Sequence, residues 1–248
     1  MRIVQISDLN IAAKGDDTPR SVTMLDNLVS AIASINQFAP SADLVLITGN
    51  ITGDGSIEAS MHAREILDGL KCPYKLVPGP NDDRQNLFGT FADKAVANEV
   101  GGVLSYVVQG FPIRCIGLDS LGHHGVGGRV CPKRLNWLNE HLASDVTIPT
   151  VIFTHHIPVS VGLPTDVEPF DNGDQLGAVI AQYSNVKRLL CGQINVAVHV
   201  GWHGTIVTSA PSMGMASGLA DEGGIQAAYH LHDLTDQGEL VTRSVPVG

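Results

Sequence analysis

A chain of 248 residues with 44% hydrophobic content is long enough for one large α/β sandwich or barrel and apolar enough for a sizeable core. Its 15 Lys and Arg stand against 25 Asp and Glu, a net charge of −10 with no basic run, which argues against nucleic acid or an anionic membrane surface as a partner. The four cysteines, Cys72, Cys115, Cys131 and Cys191, are widely spaced and form no C-x-x-C, so reduced, buried thiols and a cytoplasmic location are expected. The opening run reaches Asp8 too early for a signal peptide, and no apolar stretch approaches the roughly 18 residues of a membrane span.

In chain order, Ile3 to Ile6 reads as a buried strand, and Arg20 to Phe38 carries apolar residues at helical spacing. Asp43 to Thr48 reads as a strand, Ile57 to Leu70 as a helix and Tyr74 to Val77 as a third strand. Tyr106 to Val108 and Ile113 to Leu118 read as an antiparallel pair across Gly110-Phe111-Pro112. Pro132 to Leu142 is a predicted helix with proline in its first turn. A strand at Thr150 to Thr154, a helix at Asp174 to Gln182 and a strand at Arg188 to Cys191 continue the alternation. From Val198 the pattern is strand after strand: Val198 to Trp202, Thr205 to Thr208, Gln226 to His232 and Leu240 to Ser244. No repeat or linker divides the chain, so one domain over 1–248 is expected, with two packed sheets flanked by helices.

Five of these strands end in polar or glycine-rich turns: Asp8 and Asn10; Gly49-Asn50; Gly79-Pro80-Asn81-Asp82-Asp83-Arg84; His155-His156; and Gly192-Gln193-Ile194-Asn195. Ligands of open α/β sheets bind beyond the carboxyl ends of strands, so the five turns should converge on one pocket. Taken singly, each is an ordinary polar turn.

Together, the five turns resemble the signature blocks of calcineurin-like metallophosphoesterases, in particular the class III cyclic-nucleotide and glycerophosphodiester phosphodiesterases. The family's D-x-H appears as Asp8-Leu9-Asn10, its G-D-x-x-D/N as Gly49-Asn50-Ile51-Thr52-Gly53 and its G-N-H-D as Gly79-Pro80-Asn81-Asp82. H-H-P-P appears as His155-His156-Ile157-Pro158 and G-H-x-H as Gly192-Gln193-Ile194-Asn195. The resemblance spans roughly residues 1 to 210 and implies a four-layer α/β/β/α sandwich. It also implies two divalent ions held by seven side chains, of which only Asp8 and His155 keep their identity here. The other five positions hold Asn10, Asn50, Pro80, Gln193 and Asn195, and the family's leaving-group acid is Asn81.

A dinuclear site needs a bridging carboxylate and imidazoles; an amide oxygen is a weak ligand and proline offers none. No metal and no other cofactor is therefore expected. Asp8 and His155, both from one ion's ligand set, should approach directly or through one water, close enough for a carboxylate-oriented general base. Asn10, Asn50, Asn81, Arg84, His156, Gln193 and Asn195 are the expected substrate-binding residues, with a small polar molecule as the partner and self-association left open. The reading favoured is a metal-independent hydrolase or lyase. The alternatives are a catalytically inactive, ligand-binding or regulatory relative, or a weak metal-dependent phosphodiesterase. Elsewhere, His199 and His203 read as core or surface histidines, His123-His124 as a loop at the pocket mouth, and Met213 and Met215 as pocket wall.

Overall fold

In the computed structural model, residues 1–94, 102–122, 127–162, 170–214 and 226–248 are described. His123, His124 and Met215 lie outside them. The first sheet joins β1 (Arg2–Ile6), β2 (Leu44–Thr48), β3 (Tyr74–Val77), β10 (Ala228–Leu234) and β11 (Leu240–Pro246), in the order β11-β10-β1-β2-β3. Strands β1, β2 and β3 are parallel, with Val4 opposite Val45 and Ile47 opposite Leu76, whereas β10 and β11 run antiparallel at one edge. The second sheet joins β4 (Tyr106–Val108), β5 (Arg114–Gly117), β6 (Thr150–Phe153), β7 (Val186–Cys191), β8 (Val198–Trp202) and β9 (Thr205–Ser209), in the order β4-β5-β6-β7-β9-β8. Its inner four strands are parallel, and β4 and β8 are antiparallel edges.

Alternation along the strands distributes side chains among three apolar layers. Ile3, Leu44, Leu46 and Val77 of the first sheet meet Tyr106, Cys115, Val151, Phe153 and Leu190 of the second. The opposite face of the first sheet packs Val4, Ile6, Val45 and Ile47 against Leu28, Ala31, Ile32, Ala63 and Leu67 of helices α1 (Pro19–Ile35) and α2 (Ile57–Leu67), with Leu87 and Phe91 of α3 (Arg84–Phe91). The outer face of the second sheet packs Ile116, Ile152, Leu189 and Val207 against α4 (Pro132–Ala143) and α5 (Gly173–Ile180). The result is helix, sheet, sheet, helix, as expected. Tyr106 ties the two sheets together, its hydroxyl meeting both the Leu76 carbonyl at 2.5 Å and the Leu76 N–H at 2.9 Å.

Local chemistry sets the helix boundaries. Thr18 caps α1 by accepting from Ser21 N–H, and Pro19 opens the first turn, where its missing N–H costs nothing. Ser56 caps α2 through Ala59 N–H, and Asp83 caps α3 through Asn86 N–H at 2.9 Å. Helices α1 and α2 end about a turn before the sequence pattern does, at caps Asn36 and Asp68. Helix α3 has no counterpart among the elements expected from the sequence pattern. Its eight residues bury only Leu87 and Phe91, too few to establish a period. All four cysteines are unpaired; Cys115 and Cys191 are buried, but Cys72 and Cys131 are only half-buried. Among the described residues no helix is long and apolar enough to cross a membrane.

Candidate functional site

The five polar turns do follow the carboxyl ends of β1, β2, β3, β6 and β7. Among the described residues, six non-glycine residues have positive φ, and five of them are site residues: Asp8 (55°), Asn10 (47°), Asn50 (50°), Gln193 (69°) and Asn195 (62°). Asn and Asp tolerate this left-handed region better than other side chains, so short polar residues suit these turns sterically as well as chemically. The turns also approach one another at backbone distance. A Cβ on Gly49 would lie 2.5 Å from Nδ1 of His155, and one on Gly79 would overlap Asn50.

A hydrogen-bond lattice holds these turns together. Asp8 N–H donates to the Gly49 carbonyl at 3.1 Å, and Asn10 N–H to the Asn50 carbonyl at 2.8 Å. Asp82 is buried and accepts from Gly79 N–H, Ile51 N–H, Thr52 N–H and the Thr52 hydroxyl at 2.8–3.1 Å, which locks the third turn to the second. The Asn50 amide lies at the centre. Its Nδ2 donates to Asp8 Oδ1 at 2.9 Å and its Oδ1 accepts Asn81 N–H at 3.0 Å. Asn81 Nδ2 in turn donates to Asn10 Oδ1 at 2.9 Å, and Asn10 Nδ2 to the Asp8 carbonyl at 3.0 Å. The Gln193 Oε1 accepts Ile157 N–H at 2.9 Å, and the Asn195 carbonyl accepts Ser212 N–H.

Asp8 and His155 belong to this cluster; of the two approaches expected, direct or through one water, the direct hydrogen bond is absent among the described residues. The Asp8 carboxylate accepts the Ser7 hydroxyl on Oδ2 at 2.6 Å and Asn50 on Oδ1. His155 Nδ1 faces the Thr48 carbonyl at 2.8 Å, which makes it the protonated nitrogen and leaves the buried Nε2 with no partner among the described residues. The neighbouring His156 ring stands perpendicular to it, centroids 4.9 Å apart, with Nδ1 2.8 Å from the Ser120 hydroxyl. Burial first, and the His155 ring second, push the His156 pKa down to about 2, so His156 acts only as a neutral group.

Other expected residues lie elsewhere. Arg84 forms a bidentate pair with buried Asp119, at 2.6 and 2.9 Å, and also donates to the Leu121 carbonyl, so its guanidinium serves the fold rather than the pocket. Met213 is buried in the core beneath α1, not in a pocket wall. His199 of β8 stacks on buried His230 of β10, and His203 packs against Gly177.

A cavity of about 330 Å³ opens beside the lattice, with Asn10, Asn81 and Gly53 on one side and Arg20, Ser21 and Met24 of α1 on the other. Arg20 is the cation that sequence reasoning missed. It was visible as a basic residue in the first turn of a helix, where the helix dipole disfavours positive charge. Among the described residues, no group of three or more His, Cys, Asp and Glu side chains is placed to hold a metal ion.

Residues 1–193 match the family described as calcineurin-like phosphoesterase, and the chain belongs to that family. Over its whole length it is 31% identical to the "Probable glycerophosphodiester phosphodiesterase GpdQ" of Arcobacter nitrofigilis, covering 94% of that protein. It is 25% identical to the 3',5'-cyclic adenosine monophosphate phosphodiesterase CpdA of Escherichia coli over 86% of this chain and 76% of that one. In structure it superposes on a dimetal phosphatase from Danio rerio with a TM-score of 0.73 at 15% identity, covering 100% of this chain and 99% of the other.

Proposed function

We propose that this member of the phosphoesterase family has lost the dinuclear metal centre and uses the same pocket to bind a small polar ligand. The observation that carries this reading is the bond from Asn50 Nδ2 to Asp8 Oδ1. The family resemblance puts the bridging carboxylate at position 50. Here that position aims an N–H at the remaining carboxylate, so the donor set does not fit a pair of divalent ions. Pro80 offers no ligand atom, and Asn81 donates its side-chain amide to Asn10 and its backbone N–H to the Asn50 amide oxygen, satisfying a polar pocket with no further charge to desolvate. Without a metal, a bound water keeps a pKa near 15.7 rather than about 7, which removes the family's nucleophile.

A second reading retains turnover without metal. The unpartnered Nε2 of His155 is oriented by the Thr48 carbonyl as a base would be. It is the weaker of the two because, among the described residues, no carboxylate bonds the His155 ring directly to stabilise the imidazolium that a base must become.

The test is elemental analysis of protein purified without chelator, with bis(4-nitrophenyl) phosphate turnover measured with and without added Mn²⁺. Well under one equivalent of metal and no metal-stimulated turnover are expected. Retention of about two equivalents through dialysis would overturn the proposal.

A further inference from the structure

The cavity beside the amide lattice contains charges of both signs, and they are not paired with each other. Among the described residues, Arg20 makes no hydrogen bond and no ion pair, although it lines the cavity from the first turn of α1. Asp16 and Asp54 line the same cavity from the loops after β1 and β2. Each carboxylate is oriented by local donors: Asp16 Oδ1 accepts Thr18 N–H at 3.0 Å, and Asp54 Oδ1 accepts the Ser56 N–H and hydroxyl at 3.0 and 2.8 Å. These donors, the Thr18 and Ser56 N–H groups foremost, hold both carboxyls below their ordinary range, so both are ionised at neutral pH. Asp54 feels a charge it would avoid, since Asp16 pushes its carboxyl up. Between the two signs lie the Asn10 and Asn81 amides, which are neutral and can both donate and accept.

We infer that the cavity takes a small zwitterion, with an anionic group on Arg20 and an ammonium between Asp16 and Asp54. This rests on the ligand-binding reading above and names its ligand class. One guanidinium against two carboxylates gives the lining a net charge of −1. That repels a simple anion such as free phosphate and leaves Arg20 unanswered by a simple cation; a molecule carrying both charges satisfies all three groups. A volume of about 330 Å³ lies at the lower end for small-molecule sites, which suits a metabolite rather than a polymer.

The probes are the ω-amino acids from glycine to 6-aminohexanoate, each beside its matched alkanoate and alkylamine, titrated calorimetrically into the full chain. One chain length should bind saturably while both of its matched single-charge analogues bind at least about tenfold more weakly, the scale of one charged hydrogen bond. Arg20→Ala should weaken the zwitterion about tenfold and spare the alkylamine. The double variant D16N/D54N should weaken the zwitterion by a similar factor and strengthen the alkanoate. Both changes are at exposed positions, and circular dichroism would confirm folding. Failure of the whole series to bind, or binding unchanged by Arg20→Ala, overturns the inference. If an uncharged molecule found by thermal-shift screening binds, weakens with Asn81→Ala and ignores Arg20→Ala, the charge assignment falls while the ligand-binding reading stands.

Discussion

The Asn50 side chain donates to Asp8 at 2.9 Å while accepting from Asn81 N–H at 3.0 Å, so one amide joins the turns after the first three strands. Asp8 is buried, and among the described residues its second oxygen has only the Ser7 hydroxyl. Asn50→Ala removes the donor and leaves a buried carboxylate oxygen unsatisfied, which costs about 1–3 kcal/mol. Asn50→Asp is nearly isosteric but replaces the donor with a second carboxylate. It should destabilise the protein at pH 7 and recover at pH 4, as one of the pair protonates. Added Mn²⁺ should raise its melting temperature more than that of the parent chain. Urea melts of the three proteins at both pH values, with and without Mn²⁺, check this. An N50D as stable as the parent at pH 7 would contradict the lattice.

Asp82 answers three backbone N–H groups and one hydroxyl across two turns. Asp82→Ala orphans the three N–H groups, while the Thr52 hydroxyl keeps the Asn81 carbonyl at 3.2 Å, and because water can enter the vacated space the expected cost is about 3 kcal/mol rather than the sum of the separate losses. The turns after β2 and β3 would lose their mutual anchor, so amide hydrogen exchange at Ile51, Thr52 and Gly79 should accelerate more than exchange in β6. Uniform acceleration across both sheets would mean that Asp82 contributes only global stability.

Stability should fall on mild acidification. Burial pushes His156 down to about 2, His230 to about 4 and His232 well below its ordinary value. These histidines are neutral in the fold, whereas the unfolded chain protonates them near pH 6.5. Their stabilisation is therefore complete above about pH 6.5 and is lost as pH falls toward the folded values, by up to about 1.4 kcal/mol per pH unit for each histidine. His230 packs between His199 of β8 and His232 of its own strand; Arg188 of β7 lowers the pKa of both those neighbours, and among the described residues neither ring nitrogen of His230 has a partner. Replacing it with Phe, His230→Phe, should remove about one histidine's share of the slope between pH 6 and 4.5. Urea midpoints measured across that range check the sign and the share.

The fold was legible in the sequence because its strands are short β-branched runs buried on both faces, as in Leu44–Thr48, and its longest helix, α1, carries apolar residues at helical spacing. The convergence of five turns was legible as well, since it follows from where parallel strands end. What escaped depends on contacts remote in sequence. Helix α3 has too little apolar surface to show a period. Arg84 looked like the pocket cation because it adjoins Asp82 and Asp83, but its partner Asp119 lies 35 residues away. Asp8 and His155 share a cluster, yet each is taken by a backbone or side-chain neighbour that no spacing rule predicts: Thr48 for the histidine, Ser7 and Asn50 for the aspartate.

The contrast between Arg84 and Arg20 separates structural charge from binding charge. Asp119 is fully buried and also accepts Leu104 N–H and Leu121 N–H, with Arg134 3.6 Å away. Arg84→Ala removes its bidentate partner but leaves those donors. The expected loss is therefore about 2 kcal/mol, below the roughly 3–5 kcal/mol of a buried charge left with nothing. Arg84→Lys should recover only part of it, because an ammonium cannot reproduce the two parallel bonds at 2.6 and 2.9 Å together with the third to Leu121. Arg20→Ala touches no ion pair and should shift stability by no more than about 0.5 kcal/mol. Urea melts of the two alanine variants in the same buffer should thus differ by more than a kilocalorie. If Arg20→Ala proves the more destabilising, Arg20 supports the fold, and the cavity would lose the one cation assigned to it.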